Sequence, residues 1–222
     1  MFATSIEFIW VISIFIFSSV IHENTHARVA YYLGDSTAKN MGRFSLNPLK
    51  HITLVGILLP ICLYLIGAPI FGFAKPVEYN PASFKRPKRD MIIVGLAAPF
   101  ANFILALIAC LLYNRLSILP DSYLLCFNKI CANILIINLL LCVFNLIPIP
   151  PLDGSIVYMS SMIDKNPKLA QRIEGYGAGF LFALLIMMPL IGKAYNKDYH
   201  SIGVYITWCL NKVLIILTPL AG

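Results

Sequence analysis

The chain has 222 residues, of which 59% are hydrophobic and only 12% charged, with a mean hydropathy of +0.80. A soluble domain carries about twice that charged share, so the composition excludes an ordinary water-soluble enzyme and leaves an all-α integral membrane protein. The net charge of +7 lies in short segments between apolar runs, the pattern that orients a membrane protein, and no nucleic-acid partner is expected because no basic face is built.

Six apolar runs cover residues 5–34, 52–73, 91–114, 122–147, 176–192 and 202–221. At ~20 residues per span they predict about five to six membrane-embedded helical segments in a single polytopic domain over 1–222. The first run has Glu7 where a signal peptide would carry a basic start, and no small-residue cleavage pattern follows, so it is expected to stay as a span. The cysteines (Cys62, Cys110, Cys126, Cys131, Cys142 and Cys209) form no CxxC pair and read as small buried hydrophobes.

The first run carries "IHENTHA" at residues 21–27. On a helix His22 and His26 are four residues apart and share a face, where two imidazoles can hold one Zn²⁺ with Glu23 beside it as general base. His22 lies fourteen residues beyond Phe8, about 21 Å along a helix. The hydrocarbon layer is about 30 Å thick, so the motif falls within it. An ionisable residue at that depth is costly and points to function; the alternative is a pair of helix-end histidines near the interface.

The second run, "ITLVGILLPICLYLIGAPIFGF", holds Gly56, Pro60, Gly67, Pro69 and Gly72. Its flanking segments 27–51 and 74–90 are both rich in Lys and Arg, and with loop 154–175 they carry twelve of the seventeen basic residues. Basic loops stay cytoplasmic, so this run either dips in and returns, where protein or a water cavity covers its backbone, or is a plain span. Between the first two runs, "TAKNMGRFSLN" (37–47) alternates enough to form a strand edge or a short membrane-associated β-hairpin, or is a polar loop.

A hydrolytic zinc site usually has three protein ligands. His51, His200, Glu78, Asp90 and Asp153 are the candidates for the third. Asp153 stands in "FNLIPIPPLDGS" (144–155), where Pro148, Pro150 and Pro151 cannot continue a helix and Gly154 gives freedom just after. An unwound carboxylate there could face a bundle interior, or could simply be a turn residue.

HExxH in the first helix followed far downstream by NLxPxPxLDG resembles the site-2 protease family of intramembrane zinc metalloproteases. The stretches "LGDSTAKNMGRFSLNPLKHI" (33–52), "FGFAKPVEYNP" (71–81), "DMIIVGLAAPFANFILAL" (90–107) and "FNLIPIPPLDGS" (144–155) resemble its small, minimal branch without a PDZ domain. The likeness spans residues 18–160, the expected catalytic core, and is weak over the C-terminal helices 176–222. It implies one Zn²⁺ per chain held by His22, His26 and Asp153, with Glu23 as base. It also implies Asn145 as a contact for substrate backbone, and Asn102, in "APFAN", as a second substrate-site residue. The family usually has glycine where Ala98 stands and aspartate where Thr53 stands. The implied substrates are single-pass transmembrane proteins or peptides cut within the lipid bilayer, in a multi-pass cell-membrane enzyme of a bacterium or archaeon with its site toward the cytoplasmic side. The alternative is a silent scaffold of the same fold. Epitopes placed in 35–50 and 80–90 should be accessible from the same side if 52–73 is re-entrant; accessibility from opposite sides would make that run a plain span.

Overall fold

The first helix, α1, runs unbroken from Ser5 to Tyr32, through the histidine motif, because no glycine or proline interrupts it. It stops at Gly34, whose φ of +112° suits glycine at a helix C-terminus, and Asp35 N–H returns to the Ala30 carbonyl. This computed structural model describes residues 5–51, 56, 76–113, 120–187 and 202–217. The second apolar run, with its re-entrant or spanning alternatives, lies outside the described residues apart from Gly56.

After α1 come a short turn, α2 (Thr37–Asn40), and a long helix, α3 (Pro87–Leu112). α3 opens with Pro87 at its first position, where a missing N–H costs nothing, and Asp90 accepts from the Arg86 N–H. α4 (Asp121–Asn145), α5 (Ile156–Lys165), α6 (Pro167–Phe182) and α7 (Ile202–Leu217) follow. α3 is the central element and packs on α1, α4 and α5.

Three expectations change. The proposed edge over 37–47 forms no strand: its first residues wind into α2, because Asp35 accepts from both the N–H and the hydroxyl of Thr37 and starts a turn. No strand occurs among the described residues. The basic segment 154–175, expected as a loop, is helical in α5 and α6, with Asn166 capping the Leu169 N–H and Pro167 leading the second helix. Of the cysteines read as small buried hydrophobes, Cys110, Cys131 and Cys142 are buried, but Cys126, one turn into α4, is exposed.

Among the described residues two helices, α3 and the Tyr123–Asn145 part of α4, are long and apolar enough to cross a membrane. The outer side of α3 presents Phe100, Ile104, Ile108 and Leu111, all exposed, while Ser18, His22, Asn102 and Asn138 are enclosed. Apolar groups outside and paired polar groups inside is the arrangement lipid favours.

The chain between α4 and α5 is irregular, as its prolines require, and ends in a 3₁₀ turn, Asp153–Ser155. Ile147 and Leu152 anchor it in a cluster with Leu181 of α6, against which Leu210 of α7 also packs. A Cβ on Gly154 would overlap the Leu146 carbonyl, and one on Gly177 would overlap Pro150. The loop is thus clamped from within and by α6. Gly177→Ala should lower thermal stability in detergent by about 1–3 kcal/mol. Gly175→Ala and Gly179→Ala on the same helix, where a Cβ meets nothing, should raise it by about 0.5–1 kcal/mol; equal shifts at all three would mean that α6 does not clamp the loop.

Candidate metal centre

Helical periodicity puts the His22 and His26 rings together, with centroids 4.9 Å apart and planes at 86°. The clamped loop brings Asp153 to them across 127 residues of chain from His26. Its Oδ2 is 3.1 Å from His22 Nε2 and its Oδ1 is 3.2 Å from His26 Nε2. Among the described residues these three form a group whose ligand atoms all lie within 4.8 Å of one another. The histidines are 6% and 7% exposed, so bulk water does not solvate the cluster.

The far side of each ring decides what the near side can do. His26 Nδ1 is 2.9 Å from the Val94 carbonyl of α3. A carbonyl only accepts, so Nδ1 carries the proton and donates it. His22 Nδ1 is 2.6 Å from Asn102 Oδ1, again an acceptor. With both Nδ1 atoms protonated, the neutral rings present Nε2 lone pairs toward a carboxylate that also only accepts. Asp153 Oδ2 is buried and takes no hydrogen bond. Such convergence requires positive charge at its centre, as protons on Nε2 or as a metal ion.

The donor set fits a metal. Two ligands at about 2.0–2.1 Å from a tetrahedral Zn²⁺ stand about 3.2–3.4 Å apart; each imidazole nitrogen is close to that distance from one of the two Asp153 oxygens, His22 from Oδ2 and His26 from Oδ1. Imidazole donors backed by a carbonyl or amide are also the usual outer support of a metal-binding histidine. The residues could therefore hold one divalent cation through two nitrogens and a carboxylate oxygen.

Glu23, one residue along from His22, is half-buried and accepts from the Val77 N–H at 3.0 Å through Oε2. Val77 belongs to a non-helical segment, 76–80, that runs alongside the C-terminal part of α1. Asp35 ties its other end by accepting from the Asn80 N–H at 2.8 Å. Val77 itself is buried near Ala27 and Ala38, and Tyr79 packs on the cluster of Ala30, Phe84, Met91 and Val94. The Tyr79 phenol is pushed up to about 12 by burial, then by the negative charges of Asp153 and Glu174, and so stays a neutral donor. On the other polar side of α1, Asn24 donates to the carbonyls of Arg43 and Ser45, and buried His51 donates through Nε2 to Ser45 at 2.7 Å. His51 and Asp90, candidates for a third ligand, thus serve the loop and the α3 N-terminus instead; Glu78 is exposed and His200 lies outside the described residues.

The two asparagines differ in place. Asn102 is fully enclosed, with its oxygen on His22 and its amide nitrogen on Asn138 Oδ1 at 2.8 Å. It backs the histidine rather than facing a substrate. Asn145 ends α4 and is half-buried, with its amide donating to the Leu141 carbonyl at 2.9 Å. The sequence reading missed Val77, the Val94 carbonyl, Tyr79, Ser18 and Asn138. The first two act through backbone atoms, which no residue type announces.

Three curated bacterial proteins are similar to this chain. "Putative zinc metalloprotease YwhC" of Bacillus subtilis is 35% identical over 179 residues, which is 79% of this chain and 78% of the relative. The chain belongs to that metalloprotease family. "Putative zinc metalloprotease Rip2" of Mycolicibacterium smegmatis is 32% identical over 88% of this chain and 71% of the relative, and the Mycobacterium tuberculosis protein of the same name is 26% identical over 86% and 72%. No family model and no solved structure matches the chain.

Asp153→Ala removes the group's one carboxylate. Purified variant should lose stoichiometric metal while His22 and His26 keep their helix; metal content equal to wild type would remove Asp153 from the centre.

Proposed function

We propose that this chain is an intramembrane zinc metalloprotease of the site-2 type, cutting peptide bonds within or near transmembrane helices of membrane-protein substrates. The observation that carries the reading is the meeting of His22, His26 and Asp153 beside Glu23, enclosed among helices whose outer faces are apolar. Membership in a metalloprotease family supports the chemistry. The long apolar helices α3 and α4 support a membrane setting, and the basic segments flanking 52–73 are the ground for reading a multi-pass protein with its site toward the cytoplasmic side.

His22, His26 and Asp153 would hold the zinc, which when bound supplies a Lewis acid and lowers the pKa of a coordinated water toward ~7. Glu23 is the general base: its carboxylate accepts the proton of the attacking water and delivers it to the leaving amide nitrogen. The Val77 N–H holds that carboxylate in orientation. A substrate helix has its amides hydrogen-bonded internally, so it must open before attack. Asn145 and the irregular segment 146–152 adjoin Asp153 and take the freed backbone, as an added strand would be taken.

Glu23→Gln should retain zinc and lose turnover on a model transmembrane peptide by more than about 10²-fold, the scale of a general base. Full activity in that variant would defeat the mechanism. Chelation should abolish wild-type cleavage and added Zn²⁺ restore it; a protein that binds zinc yet never cleaves would be a scaffold of the same fold.

A further inference from the structure

A chain of buried amides runs from His22 through α3 and α4 and returns to α1 at Ser18, one turn before His22 on the same face, and its direction can be read. Asn138, in α4, has both amide hydrogens committed: Nδ2 is 2.9 Å from Ser18 Oγ and 2.9 Å from its own helix's Ile134 carbonyl. The carbonyl accepts only. Asn138 Nδ2 is therefore the nitrogen end, and Oδ1 points toward Asn102, whose Nδ2 donates to it at 2.8 Å. That in turn aims Asn102 Oδ1 at His22 Nδ1, 2.6 Å away. An acceptor there selects the Nδ1–H form of the ring and leaves the Nε2 lone pair facing Asp153. Asn102 and Asn138 are 0% exposed and Ser18 is 2% exposed, so bulk water does not reorient these groups.

We infer that Asn138, anchored by Ser18 and the Ile134 carbonyl, is a positioning residue: it orients the Asn102 amide and thereby fixes the His22 tautomer that binds metal. The inference rests on the zinc reading of the centre. With Asn138 removed, Asn102 loses the acceptor that orients it and can turn its NH₂ toward His22. A donor there favours the Nε2–H tautomer, which has no lone pair to offer at the metal. Ordinary packing would not distinguish one amide orientation from the other. The apolar setting makes the effect large, because no water replaces the missing acceptor.

The test measures Zn²⁺ affinity of the full chain in detergent by competition with a chromophoric chelator, together with the visible spectrum of the Co²⁺-substituted protein. Asn138→Leu should bind Zn²⁺ about 10–100-fold more weakly, the usual cost of removing outer support from a ligating histidine, and its Co²⁺ bands should shift. Asn138→Asp, held neutral by its full burial, keeps a carbonyl oxygen for the Asn102 NH₂ and an O–H for the Ile134 carbonyl, and should stay within about threefold of wild type. If the leucine variant does not fold, Asn138→Ala, which adds no bulk, is read in the same way. Wild-type affinity and an unshifted Co²⁺ spectrum in folded Asn138→Leu or Asn138→Ala would overturn the inference. So would an aspartate variant as weak as the leucine one. Failure of wild type itself to bind Zn²⁺ would instead overturn the zinc reading.

Discussion

Three acceptors converge in this molecule with no donor between them: two imidazole nitrogens and a carboxylate. Each is forced into that role from behind. Val94 and Asn102 take the Nδ1 protons, and the clamped turn after Pro151 delivers Asp153. Without a metal the grouping must take up protons on Nε2 to pair with the carboxylate, since desolvated acceptors without a partner are expensive. With a cation at the centre the same desolvation strengthens every bond to it. The rest of the described structure can be understood as holding these three groups at one point.

That constraint explains the division of labour among the helices. α1 supplies both histidines and Glu23, α3 supplies an acceptor for each ring, and the α4–α5 connection supplies the Asp153 carboxylate. Since α3 backs both histidines, its inner side must approach α1 and α5 closely. Gly95, where a Cβ would press on Ile156 at 2.9 Å, and the enclosed Ala98 and Asn102 suit that approach. The apolar outer stripe of the same helix has no part in the chemistry and is free to meet lipid.

How much of this could be read beforehand follows from the range of each interaction. His22, Glu23 and His26 are bound by helical periodicity, which is local, and a run without glycine or proline makes the helix secure. Asp153 was legible because prolines break the backbone just before it, although only tertiary structure could bring it to α1. Asn102 was singled out but with a different role, since spacing names a residue without saying which way its amide faces. Asn138 sits in "IINLLLCVFN" and was passed over as one polar residue in an apolar run. The strand edge over 37–47 failed for a local reason: Asp35 offers the Thr37 backbone and hydroxyl a closer partner than any neighbouring strand.

The 76–80 segment shows how a loop becomes part of the wall beside the metal group. Asp35 holds the Asn80 N–H and Glu23 holds the Val77 N–H, so two carboxylates of very different burial pin the same short stretch. Asp35 is 1% exposed and is spent on structure. Glu23 is only half-buried and so can meet a water that enters the site. Because one backbone amide connects Glu23 to the strap, motion of the strap and orientation of that carboxylate are coupled. Val77 is packed against α1 and α2 through Ala27 and Ala38, so lifting the strap away from Glu23 would expose apolar surface, and that burial holds the carboxylate in its orientation.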